Sequence, residues 1–452
     1  MLQRIEIAAR QARRALAGIA LVVAAACSTS GGGGGPEVVS RAPASGPDFE
    51  VAPPRSLDPG EARTYDDEGF VRPLHLRGEE PVRVALLLPF SAPSESAQKI
   101  ASAMFDAAQL ATFEAGDRRF VLIPKDTRGE PQAAAAAARS ALADGAEMIL
   151  GPLYAESVAA VAPVARAART PVVAFSSDVN VAGDGVYLLS FPPEIEINRV
   201  TDYAVQSGIT RFGLLAPAND FGERVANSFA QNIAVNGATL VHGERYEQDP
   251  DKMLAPAKRL AQYSKEIIPV EQRHDYDPDK DGATPEGVQL GAVQGYQAVL
   301  MPEQGTLLRA LAPLLPYYNV DINRVKLLGV SAWNNPGLTR EPALRGGWFA
   351  APEPEVSEAF RRRYRDTFGA NPPRLASLSY DATLLAAKLA QDPGKRRFGA
   401  RAIADPNGYF GADGLFRLRR DGTVERGLAI LEIQPQGIQL VDPAPRSFLP
   451  SF

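Results

Sequence analysis

The chain has 452 residues, with 48 Lys and Arg against 53 Asp and Glu, a net charge of -5 and 22% charged residues. That balance supplies no basic field for nucleic acid or for an anionic membrane surface, so no nucleic-acid partner is expected. The single cysteine, Cys27, excludes an intrachain disulfide framework and a thiolate metal cluster.

Residues 1–26 have the layout of a secretory signal peptide: Arg4, Arg10, Arg13 and Arg14 precede an uncharged stretch, Ala15 to Ala26. As a helix that stretch would be about 18 Å long, short of the ~30 Å hydrocarbon core, so cleavage is expected rather than membrane spanning. Ala24, Ala25 and Ala26 before Cys27 resemble the lipobox of bacterial lipoproteins, although Ala24 stands where leucine is commonest. The resemblance implies lipidation of Cys27 and membrane attachment through that N-terminal lipid. Ser28 in place of aspartate points to the outer membrane, by the sorting habit of enteric bacteria. The alternative is an ordinary secretory peptide with an incidental cysteine. Residues 27–80, with the glycine run Gly31 to Gly35 and scattered prolines and serines, read as a flexible tether without a core.

From Val82 the pattern changes. The runs at 82–90, 119–126, 147–154, 170–178 and 186–191 are continuously apolar rather than alternating, which predicts strands buried on both faces of a parallel sheet. Helical patterns occupy 96–116, the alanine-rich 131–146 and 156–170, with Gly116 and Gly145 as stops. The series restarts with helices at 198–208, 222–237 and 251–265 and strands at 211–220 and 238–246. A strand at 297–303, a helix at 305–318 and a strand at 324–333 continue it. The prediction is α/β, with two successive doubly wound, Rossmann-like lobes. Function is then expected in the loops after the strands.

Those loops carry "GPLYAESV", "FSSD", "NDFGERVANSF", "SYDATLLAAKLA" and, from 411 to 433, "GADGLFRLRRDGTVERGLAILEI". Their order resembles the type I periplasmic-binding-protein fold of the branched-chain amino-acid receptor superfamily. The resemblance implies two lobes joined by three crossovers, 82–193 with 348–402 and 194–347 with 403–440, followed by a tail at 441–452. It also implies a ligand cleft closed by hinge motion. Candidate cleft residues are Ser91, Tyr154, Ser157, Ser176, Ser177, Asp178, Asn219, Phe221 and Trp333. Tyr and Trp would offer stacking faces for a sugar or peptide, while Ser and Asp serve equally as caps of the following helices.

Within that superfamily, the leader, the long tether and the segments "PLLPYYNVDINRVKLLG" and "REPALRGGWFAAPEP" are similar to the penicillin-binding protein activators. These are outer-membrane lipoproteins that stimulate a peptidoglycan synthase. The resemblance implies a periplasmic, lipid-anchored, non-catalytic regulator whose partner is a class A penicillin-binding protein. The helical-repeat domain of the enterobacterial members has no room here. The alternative is a solute receptor for an amino acid, peptide or muropeptide in an ABC-type uptake system. Against an amino acid, "GVSAWNN" at 329–335 places no acid after its strand to meet an ammonium, and Ala155 stands where the receptors have a hydroxyl.

Catalytic signatures are scarce. "GVSAW" lacks the second glycine of a nucleophile elbow. His75, His242 and His274 are scattered, no HExxH or phosphate loop occurs, and no cofactor is expected. Asp277, Asp279 and Asp281 with Gly282 match the opening of a calcium loop, but Val288 stands where the bidentate Glu should be. A solvated insertion is the expectation for 269–292, with weak calcium binding as the alternative.

Overall fold

The computed structural model describes residues 80–262, 295–394 and 396–448. The leader, Cys27, the tether up to residue 79 and the Asp277, Asp279 and Asp281 loop lie outside the described residues.

The first sheet is parallel, in the order β2-β1-β3-β4-β5, with β1 (Val82–Leu88), β2 (Phe120–Asp126), β3 (Met148–Leu150), β4 (Val172–Ala174) and β5 (Val186–Leu188). Its inner strands read as unbroken apolar runs because successive side chains feed two different cores, while the edge strand β2 ends in Lys125 and Asp126 and is only partly buried. Val84, Leu86 and Leu88 pack with Ala101, Met104 and Ala108 of α1 (Glu95–Ala115). Ala85 and Leu87 face the opposite way, onto α2 (Pro131–Ala143) and α3 (Ala155–Ala167). In α2 the buried residues are Ala134, Ala137, Ala138 and Ala141, so the alanine run sets close packing as well as helix propensity. Gly116, at φ 63°, ends α1 in the left-handed conformation that only glycine adopts without cost.

The chain then crosses to a second sheet through α4 (Pro193–Gln206), β6 (Arg211–Pro217), α5 (Asp220–Val235), β7 (Thr239–Tyr246) and α6 (Pro250–Gln262). It continues as β8 (Ala298–Leu300), α7 (Gly305–Leu311), α8 (Leu314–Tyr317), β9 (Lys326–Gly329) and β10 (Trp348–Ala351). The helix predicted over 305–318 is broken between α7 and α8 at Pro313, which has no N–H to give to a continuous helix.

β10 corrects the expected lobe boundary. It pairs in parallel with β9 through Trp348 and Phe349, so residues 348–351 belong to the second sheet. Next come α9 (Pro354–Phe368), α10 (Ala376–Ala390), α11 (Ala400–Ile403) and a small antiparallel sheet of β11 (Tyr409–Gly411), β12 (Gly414–Leu418) and β13 (Val424–Arg426). Phe416, Leu418 and Val424 enter the core shared by β1, α1 and α10, so residues 409–426 complete the first lobe rather than the second. Only β14 (Ala429–Gln434) and β15 (Gly437–Asp442) return, both antiparallel, giving the order β15-β14-β10-β9-β8-β6-β7. β15 therefore extends two residues into the expected tail. Three crossovers join the lobes, near Phe191, after Ala351 and near Gly427.

Candidate functional site

The loops at the carboxyl ends of the two sheets meet each other. Arg224 of α5, in the second lobe, bonds Glu194 at 2.8 and 3.0 Å and donates to the Ser177 carbonyl after β4, in the first lobe, at 3.2 Å. Deeper in, Glu196 of α4 accepts from the Ser331 N–H at 2.8 Å and the Ser331 hydroxyl at 2.6 Å. Arg374, from the loop before α10, donates to Glu196 at 2.9 Å and to the Ser331 hydroxyl. This ion pair joins the lobes across chain separations that no local pattern encodes. Glu196 is buried, so its partners must offset a sizeable desolvation cost.

Each candidate residue has a defined place. Ser91 is committed to Asp126 at the end of β2. Burial alone would raise the Asp126 carboxyl, but the Ser91 hydroxyl and the N–H groups of Arg128 and Ser91 outweigh it and hold the carboxyl below its usual range. Ser176 accepts from the Asp178 N–H at 3.1 Å, and Asp178 caps the turn Val179–Val181 by accepting from Asn180 at 3.0 Å. Asn219 caps α5 by accepting from the Gly222 N–H at 2.9 Å. For Asp178 and Asn219 the capping role is the one the geometry displays. Tyr154, at the start of α3, and Phe221, at the start of α5, are each 38% exposed.

Trp333 is a correction. It is 0% exposed, its indole N–H donates to the Glu303 carbonyl at 3.0 Å, and its ring tilts against Phe349. No face is left for stacking a ligand, and the residue is core of the second lobe. Ser157 behaves differently. It is 0% exposed in the first turn of α3, and its hydroxyl has no hydrogen-bond partner. Tyr154 at the N-cap of α3 makes no side-chain cap bond, so that helix start is left uncapped.

The sequence reading missed Glu303. An acid does stand at the end of a second-lobe strand, after β8 rather than β9, within the run "QAVLMPE" that had been assigned wholly to the strand. Its carboxylate accepts from the Tyr246 hydroxyl at 2.9 Å, the Gln248 amide at 3.2 Å and the Gln304 N–H at 2.9 Å. Burial, then the Glu303 charge, pushes the Tyr246 hydroxyl far above its usual range. Among the described residues no cluster of His, Cys, Asp and Glu is arranged to hold a metal, and no helix is long and apolar enough to cross a membrane.

A family model described as periplasmic binding protein matches residues 81–263. Among solved structures, a protein of Rhodospirillum rubrum proposed to be a branched-chain amino-acid ABC transporter superposes with TM-score 0.65 at 16% identity, over 80% of this chain and 100% of that one. The fold is that of the type I periplasmic binding proteins. A branched-chain amino-acid ABC transporter periplasmic ligand-binding protein of Burkholderia xenovorans matches this type I fold with TM-score 0.60 at 16% identity, covering 82% and 97% of the two chains. An ABC-transporter solute-binding protein of Rhodopseudomonas palustris, in complex with 3,4-dihydroxybenzoic acid, gives TM-score 0.54 at 16% identity, covering 81% and 96%. No curated protein matches the chain in sequence.

Proposed function

We propose that the chain is an envelope binding protein, tethered through a lipid on Cys27, whose cleft captures a small solute bearing a carboxylate. The observation that carries this reading is the uncapped start of α3, with the partnerless Ser157 hydroxyl buried in its first turn. A helix N-terminus offers free N–H groups and the positive end of its dipole, and a buried hydroxyl without a partner gains most from a ligand oxygen. The Rhodopseudomonas protein, whose bound ligand is itself an acid, supports the same ligand class.

The test is calorimetry on the full chain in detergent with amino acids, aromatic acids and their amides. A carboxylate is expected to raise the melting temperature where its amide does not. Ser157→Ala is expected to weaken binding about tenfold, the equivalent of one hydrogen bond. Failure of every acid to bind at millimolar concentration overturns the reading.

A second reading, stimulation of a class A penicillin-binding protein by surface contact at the outer membrane, draws support from the bonds that hold the two lobes to each other, Arg224 to Ser177 and Arg374 to Glu196. Saturable binding of the full chain to that synthase, with faster glycan crosslinking, would favour it; a synthase rate unchanged at saturating protein would remove it.

A further inference from the structure

Behind the cleft, where the first and third crossovers pass each other, two buried opposite charges stand with incomplete hydrogen bonding. Arg426, the last residue of β13, is 6% exposed; its Nε donates to the Ser190 carbonyl on the first crossover at 2.7 Å, and both Nη atoms lack partners. Asp381 of α10 is 1% exposed; one carboxylate oxygen accepts from the Ala412 N–H at 2.6 Å and the other has no partner. An ionised buried carboxylate near a guanidinium with free donors would be expected to bond to it. Here it does not.

Arg426 is held elsewhere. Its guanidinium lies 4.4 Å from the Phe191 ring centroid, and Arg374 lies 4.3 Å from the same centroid. Arg374 is the residue that ties the first lobe to Glu196 and Ser331 of the second. Phe191 on the first crossover thus has two cations against its ring, Arg426 and the Arg374 of the interlobe bond, a contact termed the clamp.

We propose that closure of the two lobes is proton-linked: neutral Asp381 leaves Arg426 on Ser190 and Phe191, and ionised Asp381 draws it off and loosens the clamp. The remaining charges around Asp381 fit this sense. Asp413, on the turn between β11 and β12, repels its ionised form and is itself bonded by Ser357 and Ser377. α1, packed along α10, brings Glu114 and α9 brings Arg363, both engaged with Tyr380, while Asp106 of α1 bonds Tyr364. The adjoining strand β3 contributes only Met148, Ile149 and Leu150. Burial and then Asp413 push the Asp381 carboxyl up to about 7, with Arg426 pulling the other way. A carboxyl that is unpaired in the closed form and paired with Arg426 in the open one binds its proton more tightly when closed, so a rise in pH favours opening. The open-to-closed ratio then changes by at most tenfold per pH unit, or about tenfold between pH 6 and pH 8.

The test places one spin label on each lobe of the full Cys27→Ser chain, at the exposed positions Phe113 and Val235, and reads the distance distribution without ligand at pH 6 and pH 8. The wild-type background is expected to gain the open population at pH 8, and Asp381→Asn to keep the pH 6 distribution at both. Identical wild-type distributions at the two pH values, or a shift that persists in Asp381→Asn, overturn the proposal. Should Asp381→Asn fail to fold, Phe191→Leu carries the test: it is expected to show the open population already at pH 6, and an undiminished pH response in it also refutes the clamp. The readout needs no solute, so its failure leaves the binding reading untouched.

Discussion

Replacing Trp333 with phenylalanine separates a core residue from a cleft residue. The indole lies wholly within the second lobe, against Gly329, Gly347 and Phe349, with its N–H on the Glu303 carbonyl. Phenylalanine leaves a void of roughly 40 Å³, worth about 1 kcal/mol at ~24 cal/mol per Å³. It also strips the donor from a buried carbonyl, which costs about 1–2 kcal/mol more. The expected loss is therefore about 2–3 kcal/mol, read from urea unfolding followed by circular dichroism, in the transition that reports the second lobe. Because the chain has 2 Trp, a Trp348→Phe background leaves Trp333 as the sole tryptophan, read by excitation at the red edge of the indole band. Its emission is expected to resist acrylamide quenching and to be indifferent to solutes. A stability change under about 0.5 kcal/mol, coupled with weaker solute binding and a quenchable indole, would refute the assignment to the core.

Gly329→Ala should be costlier than its single methyl suggests, because the new Cβ would sit 2.1 Å from the Trp333 ring; a loss near 3 kcal/mol in the same urea assay is expected, and a neutral substitution would disprove the close packing. Asn219→Ala removes the α5 cap and should lower stability by about 1 kcal/mol with solute affinity unchanged, whereas Asn219→Asp should retain most of it. Asp381 contributes to the pH dependence of stability. Its folded carboxyl titrates near 7 against an ordinary value of 3.8, so its contribution is fully present below about pH 4 and is lost as pH rises through 7. Urea midpoints from pH 4 to pH 8 should fall less steeply in Asp381→Asn than in wild type, and parallel curves would contradict the assignment.

Periodicity made the first sheet legible in advance because β1, β3, β4 and β5 are covered on both faces, so nearly every residue in them must be apolar. The helix end at Gly116 was legible because glycine marks it, whereas the sequence pattern sets the cap Asn219 among the cleft residues and begins its helix at 222, two residues late. The lobe boundary was harder. β10 is four residues long, and its membership depends on pairing with β9 and β14, which no local spacing records. Trp333 misled because an aromatic just past a strand end reads the same whether it turns inward or toward a ligand. The interlobe contacts were invisible for a simpler reason: Arg374 and Glu196 become neighbours only once two crossovers have brought their lobes together.

The antiparallel hairpin of β14 and β15 also fixes an order of assembly. A chain made from its amino end can complete the first lobe's core when Val424 arrives, but the second sheet lacks two strands until residue 442. Until then the flank of β10 that β14 will cover stands open, four apolar residues wide, in a half-built sheet. Any truncation before Ala429 would leave that edge permanently available to other chains, so the last strands act as the cover that keeps newly made copies from joining one another.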